Sequence, residues 1–371
     1  MMLFRKIDRF GARAFRSVTQ GRRLALVVAG AALFAVGSPA DARKSGSEPV
    51  APLVDHHIHI QSAAVSDLMR KAMKKTPESF QGMSEDLFKV RTGEDAVHEL
   101  DRAGIKQGVL LSTGYMFASP ILPIDPAESA RRMHEENQYN VDAALASHGR
   151  LIAFVGINPF AANAAEELAY WSRQPGAAGV KLHFGNSRFN FASTEQMEKL
   201  AAFFRAARAA KMPLIVHSRT DDGFTPQNIH RFIDTVLSQA GDLPIQLAHG
   251  GGYGGVDAAT LESLAAYGDA IARKAPGTRN LVFDLSAVVQ YQLVENAEER
   301  AKYTRRYVAL MRKIGFNRFV LGSDWPGLHP PAEYFAIERV QLPVNAREWQ
   351  QLCRNRAPYL LPAWARKKNA D

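Results

Sequence analysis

The sequence predicts an α/β fold, a (β/α)8 barrel, and three observations carry the prediction. From Pro52 onward, eight short runs rich in Val, Ile, Leu and Phe alternate with helical stretches. No linker, repeat or low-complexity segment interrupts them. Histidine and aspartate recur at the carboxyl ends of the runs. Short apolar runs suit parallel strands buried on both faces, and their alternation with helices suits a closed barrel. An open doubly wound sheet is the competing architecture.

The first strand, Leu53–Ile60, contains Asp55-His56-His57-Ile58-His59. Strand alternation puts Asp55, His57 and His59 on one face, with His56 turned towards the helices. Two imidazoles one pleat apart suit a divalent ion of the zinc type. Gln61–Gly93 follows as a long connection holding Met69, Met73, Phe80, Met83 and Phe88 among basic residues, and reads as a lid loop. The later strands are Gln107–Ser112, Leu151–Asn158, Gly179–His183, Pro213–His217, Pro244–His249, Asn280–Ser286 and Phe319–Asp324. The helices are Glu94–Ala103, Glu128–Ser147, Ala164–Ser172, Thr194–Ala210, Gln227–Gln239, Ala258–Ala272 and Ala297–Ile314, several opened by Asp, Ser or Thr caps or by Pro226.

At 371 residues, 46% hydrophobic and 22% charged, the chain has ample core. The formal charge of +9 owes much to residues 1–42; beyond them 39 Lys/Arg face 35 Asp/Glu, scattered, so a nucleic-acid partner is not expected. Cys353 is the single cysteine and lies in a C-terminal helical stretch, so no intramolecular disulfide forms and nothing marks it as a nucleophile. At the N-terminus, basic residues from Arg5 to Arg23 precede the apolar run Leu24–Val36 and an Ala-x-Ala ending at Ala42. This is the pattern of a secretory signal. Thirteen helical residues span about 20 Å, short of the roughly 30 Å hydrocarbon core, which favours cleavage after Ala42 over an anchor. The organisation expected is a signal peptide over 1–42, a linker over 43–51 and a barrel over 52–371. The expected location is periplasmic or secreted, through the general secretory route, with twin-arginine export at Arg22-Arg23 as the second route. The partner expected is a small-molecule substrate, with no membrane anchor after cleavage and a homodimer left open.

A barrel should gather its active-site groups at the carboxyl ends of its strands. His57 and His59, His183, His217, His249 and Asp324 end strands one, four, five, six and eight. Any one would be ordinary as a core or loop residue; six together form a pattern. Gly250, Gly252 and Gly255 also satisfy G-x-G-x-x-G, but the next acidic strand end, Asp284, is too far on for a dinucleotide fingerprint, and the segment reads as a flexible loop.

The ordered set Asp55-His56-His57-Ile58-His59, Val180-Lys181-Leu182-His183, Leu214-Ile215-Val216-His217, Leu247-Ala248-His249-Gly250 and Leu321-Gly322-Ser323-Asp324 resembles the amidohydrolase superfamily, in its amidohydrolase-related branch. The resemblance runs from Pro52 to about Pro362, with weaker echoes at Glu136-Asn137 and Asn355-Arg356-Ala357. It implies that His57, His59, His217 and Asp324 bind one divalent metal, zinc first and manganese next, with His249 and Asp324 as the catalytic proton-transfer groups. Three imidazoles and a carboxylate leave room for a water whose pKa the ion would lower towards about 7. Two-metal relatives carry a carboxylated bridging lysine at the end of strand four, which puts Lys181 and His183 forward as a second-metal bridge or a substrate contact. Arg188, Arg219 and Tyr115 follow strands four, five and two, where they could meet a carboxylated substrate.

Three functions follow. The leading one is a metal-dependent hydrolase of an ester, lactone or amide. The alternative is a metal-dependent, non-oxidative decarboxylase of an aromatic or unsaturated acid. The third is a non-catalytic periplasmic binding protein.

Overall fold

The structure, a computed structural model, describes residues 51–364 except 76, 78–84, 221, 290–293 and 295. The expected signal peptide and all of the expected linker but Ala51 lie outside the described residues, as do Phe80 and Met83.

Eight parallel strands form one sheet in chain order: β1 (Val54–Ile58), β2 (Gln107–Leu111), β3 (Leu151–Gly156), β4 (Ala177–His183), β5 (Leu214–His217), β6 (Ile245–Leu247), β7 (Leu281–Asp284) and β8 (Phe319–Val320). The sheet curls back on itself at the β8–β1 seam. The His56 amide donates to Leu321 O (2.9 Å), that of Asp324 to His57 O (2.8 Å) and that of His59 to Trp325 O (2.8 Å). The doubly wound alternative is thereby excluded. Inward side chains such as Val54, Val109, Phe154, Ile215 and Val320 fill the near end of the barrel, and Tyr359 joins them from the C-terminal segment.

Between the strands run α2 (Gly93–Arg102), α3 (Pro126–Ala146), α4 (Ala164–Trp171), α5 (Thr194–Ala209), α6 (Pro226–Thr235), α7 (Ala258–Ala272) and α8 (Ala297–Ile314). Their starts are chemically marked. Thr92 and Asp95 form a capping box, Asp125, Ser193, Thr225, Asp257 and Asn296 cap α3 and α5–α8, and Pro126 and Pro226 occupy first turns. The expected helix Gln227–Gln239 ends early, at Thr235, and a 3-10 turn follows over Leu237–Ala240.

The connection after β1 is more structured than the expected lid loop. It holds α1 (Ala63–Lys75), whose Val65, Leu68, Met69 and Ala72 fall at helical spacing and are buried. The neck of this excursion is pinned: Gln61 and Arg91 exchange backbone hydrogen bonds of 3.2 and 3.0 Å, and Gln61 Nε2 donates to Leu87 O and Lys89 O. Two further helices, α9 (Pro331–Gln341) and α10 (Ala346–Arg354), follow β8. Cys353 is buried on α10. Among the described residues no helix is long and apolar enough to cross a membrane.

Candidate metal centre

The histidines gather because the strand ends gather. His183 and His217 are paired in register on β4 and β5, and their rings stack at 4.0 Å. Ring centroids separate His57 from His59 by 5.1 Å, His57 from His249 by 4.9 Å and His217 from His249 by 4.8 Å. Asp324 closes the group, with Oδ1 at 3.3 Å from Nε2 of both His57 and His59. Asp324 and His249 both hold left-handed backbone, at φ 60° and 54°. Such conformations cost about 1–3 kcal/mol each in a non-glycine residue and are sustained by the surrounding packing.

What these atoms can do is decided by the other nitrogen of each ring. His57 Nδ1 lies 3.0 Å from Asp284 Oδ2, His59 Nδ1 2.6 Å from Leu111 O, and His249 Nδ1 3.0 Å from Ser286 O. A carboxylate or carbonyl accepts only, so each Nδ1 carries the proton and donates. In a neutral ring Nε2 then keeps its lone pair. Burial lowers His57 to about 3 and His217 well below the ordinary value, so both rings are neutral. Burial alone would raise Asp324, but His57 and His59 outweigh it and hold the carboxyl well below the usual range. Lone pairs and a carboxylate thus converge with no donor among them. His217 Nε2 is likewise buried, with no hydrogen-bond partner among the described residues. An acceptor-only cluster of this kind is stabilised by a cation. The 3.3 Å contacts also fit, since ligands at roughly 2.0–2.1 Å from one tetrahedral ion stand roughly 3.4 Å apart. His57, His59 and Asp324 are therefore the residues whose donor atoms are grouped closely enough to hold a divalent ion, with the His217 ring next to that of His249 beside them.

Two polar residues outside the set read from the sequence, one ending β7 and one just beyond it, support the cradle from behind. Asp284, at the end of β7, accepts from His57 Nδ1, from the His249 amide (3.1 Å) and from Gln246 Nε2 (2.7 Å). Burial alone would raise it, but the facing His57 ring and its hydrogen bond outweigh that and hold the carboxyl below the usual range. Ser286 donates to Asp284, and its Oγ lies 3.0 and 2.9 Å from Nδ1 of His57 and His249.

The remaining expected site residues divide. Lys181 is buried; burial pulls its ammonium down to about 8 while Asp284 and Asp324 oppose the shift. His183 Nδ1 accepts from the Asn186 amide (3.1 Å), and burial lowers the ring to about 3. Its proton therefore sits on Nε2, which makes His183 a hydrogen-bond donor rather than a bridging ligand in this arrangement. Tyr115 is buried with its ring 5.3 Å from that of His183, and burial raises its phenol. Arg219 is not free for substrate, because its guanidinium makes a two-pronged pair with Asp257 at 2.8 and 2.8 Å. Arg188 sits half-buried in left-handed backbone within a turn anchored by Phe184, Phe189 and Phe191, which pack on Phe232 of α6.

Two expectations about backbone need correction. His56 does not turn towards the helices; it is buried, hydrogen-bonded to Leu321 O and to the Ala357 amide, because the β1 register slips between Asp55 and Ile58. Asp55 clamps Ser323 and the His57 amide instead of facing the ion. The glycine-rich segment after β6 begins as a buried left-handed turn rather than a flexible loop, with Gly250 at φ 62° and a Cβ there falling 1.9 Å from the Tyr307 hydroxyl.

A (β/α)8 barrel with a histidine–aspartate cradle at its strand ends defines a class of metal-binding enzyme folds. The chain belongs to the amidohydrolase family, whose model matches residues 54–355. Among solved structures it is similar to the 5-carboxyvanillate decarboxylase of Novosphingobium aromaticivorans with bound manganese and 3-methoxy-4-hydroxy-5-nitrobenzoic acid (15% identity, 84% of this chain and 97% of that chain, TM-score 0.54). It is also similar to a dihydroxybenzoic acid decarboxylase from Polaromonas with manganese and 2-nitroresorcinol (14%, 86% and 96%, 0.52). A third is an amidohydrolase from Burkholderia multivorans with bound zinc (14%, 86% and 99%, 0.52). At these identities the likeness is one of fold. No curated protein sequence gives a significant match.

Proposed function

We propose that the protein is a metal-dependent enzyme that holds one divalent ion through His57, His59, His217 and Asp324 and decarboxylates a small aromatic or unsaturated acid without redox chemistry. The observation that carries the metal reading is the convergence of donor-free Nε2 atoms on Asp324, with the proton of His57 and of His59 engaged behind the cradle. The decarboxylase reading draws support from the two manganese-holding decarboxylases of like fold, whose bound molecules are nitro-substituted aromatics.

A bound divalent ion would supply Lewis-acid polarisation of substrate oxygens. The chain's own groups do the rest. Lys181 and the Nε2–H of His183 offer donors to an anionic oxygen. His249, its Nδ1 tied to Ser286 O, moves a proton at Nε2. His249 first takes a proton at Nε2 from solvent; as the bond to the carboxylate breaks, carbon dioxide leaves, the electron pair stays on the substrate carbon, and that proton passes from Nε2 to the carbon, returning the ring to its neutral form.

The hydrolase reading, leading on sequence alone, keeps one specific support: the Nε2 lone pair of His249 beside the cradle could equally take a proton from water. Presenting the metal-loaded protein with aromatic acids, esters, lactones and amides separates the two. Carbon dioxide release supports the first reading. Acid formation from an ester or lactone with no carbon dioxide supports the second.

The signal pattern ending at Ala42 leads us to propose export, with the mature chain beginning at Arg43. An intact mass from the periplasmic fraction tests this, and recovery only at full length with the membrane would contradict it.

A further inference from the structure

We propose that Tyr359 and Gln246 are positioning residues for the metal cradle, so that the C-terminal segment, which joins the apolar layer of Val54 and Val109 inside the barrel, helps to set the tautomer and ring orientation of His57. The inference rests on the reading of His57 as a ligand. The connection is continuous and buried. The Tyr359 hydroxyl donates to Gln246 Oε1 (2.7 Å), Gln246 Nε2 donates to Asp284 Oδ2 (2.7 Å), and Asp284 Oδ2 accepts from His57 Nδ1 (3.0 Å).

Each link fixes the next. Gln246 Nε2 spends its second hydrogen on His56 O at 3.1 Å. Turned round, the amide would point its oxygen at a carboxylate and a carbonyl, which accept only. Tyr359 completes the chosen orientation by giving the amide oxygen its donor; without the hydroxyl that oxygen would be buried and unsatisfied. The same segment reaches the other side of the ligand strand, where the Ala357 amide donates to His56 Nε2 (3.2 Å) and His56 Nδ1 donates to Leu321 O (2.9 Å). Both the backbone before His57 and the carboxylate behind it are thus tied to residues 357–359.

Packing alone does not account for the polar atoms. Tyr359 sits among Val54, Val109, Ile215 and Val320, with its ring 4.9 Å from that of Phe154. A phenylalanine would fill the same space. A hydroxyl and an amide in that apolar layer cost burial energy unless they serve the carboxylate.

The test is zinc affinity by chelator competition, with melting of the metal-free proteins alongside. Tyr359→Phe keeps the ring, and Gln246→Met keeps the length. Each should weaken zinc roughly 10-fold or more, the scale of partners behind metal ligands. The double variant should bind no more weakly than Gln246→Met alone, since both break one chain of contacts. Metal-free Tyr359→Phe should melt within about 2 °C of the parent. Zinc affinity within about twofold of the parent, additive losses, or a metal-free melting loss that accounts for the weakened binding would overturn the proposal. Parent protein that takes up no zinc would instead overturn the reading of His57 as a ligand, and this inference with it.

Discussion

Nδ1 of His57 lies 3.0 Å from Oδ2 of Asp284, so one buried imidazole gives its proton to a carboxylate on β7 while its other nitrogen faces Asp324. The partnership makes His57 a better ligand and holds its ring in place. Asp284→Asn should lower zinc affinity roughly 10–100-fold while leaving the fold intact. Competition with a chromophoric chelator measures it, and unchanged affinity would show that Asp284 is a spectator.

On the proposed reading His249 differs from the cradle ligands in role. His249→Asn should retain the ion yet lose turnover by roughly 10²–10⁴. Metal content and kcat measured on one preparation decide it; an emptied site would move His249 into the ligand set.

Glu338 on α9 is fully buried, and neither carboxylate oxygen has a hydrogen-bond partner among the described residues. Burial, followed by repulsion from Asp55 and Asp284, raises it well above its ordinary value. The folded chain therefore keeps a proton that the unfolded chain releases above about pH 4.5. Stability from this group is full below that pH and falls as pH rises, by up to about 1.4 kcal/mol per unit until the folded value is reached. Glu338→Gln removes the dependence. Its melting temperature relative to the parent should rise from pH 5 to pH 8, and a parallel shift at both would refute the assignment.

Arg219 should prove structural. Arg219→Ala leaves the α7 cap Asp257 without its guanidinium and should cost about 1–2 kcal/mol, between the values for exposed and buried pairs. Denaturant midpoints report the loss. KM should change by less than about twofold, and a large rise would return Arg219 to the substrate pocket.

The strands and the clustered histidines were legible because each signal is local. Apolar runs mark β2 to β7, and a polar residue closing a run marks the active face, as at His183 and His217. Asp284 closes Leu281-Val282-Phe283 in the same way and could have been found by that rule. Gln246, between Ile245 and Leu247, carried a weaker signal, a polar side chain inside an apolar strand. The role of Tyr359 left no local trace, because its partner is 113 residues away. The helix α1 was hidden by its composition, since Lys71, Lys74 and Lys75 among methionines read as a loop although the apolar spacing is helical. Arg219 is ambiguous in sequence, because a charge after a strand looks the same whether it meets substrate or, like its pairing with Asp257, a neighbouring helix cap.

The most direct test is the number of ions held by the parent protein and by His217→Ala. Both are stripped with chelator, reloaded with zinc or manganese, desalted and measured by elemental analysis. About one ion per parent chain and almost none in His217→Ala is the predicted result, since removing one of three imidazoles opens the cradle. Two ions per parent chain, or an ion retained by His217→Ala, would contradict a single site built from His57, His59, His217 and Asp324.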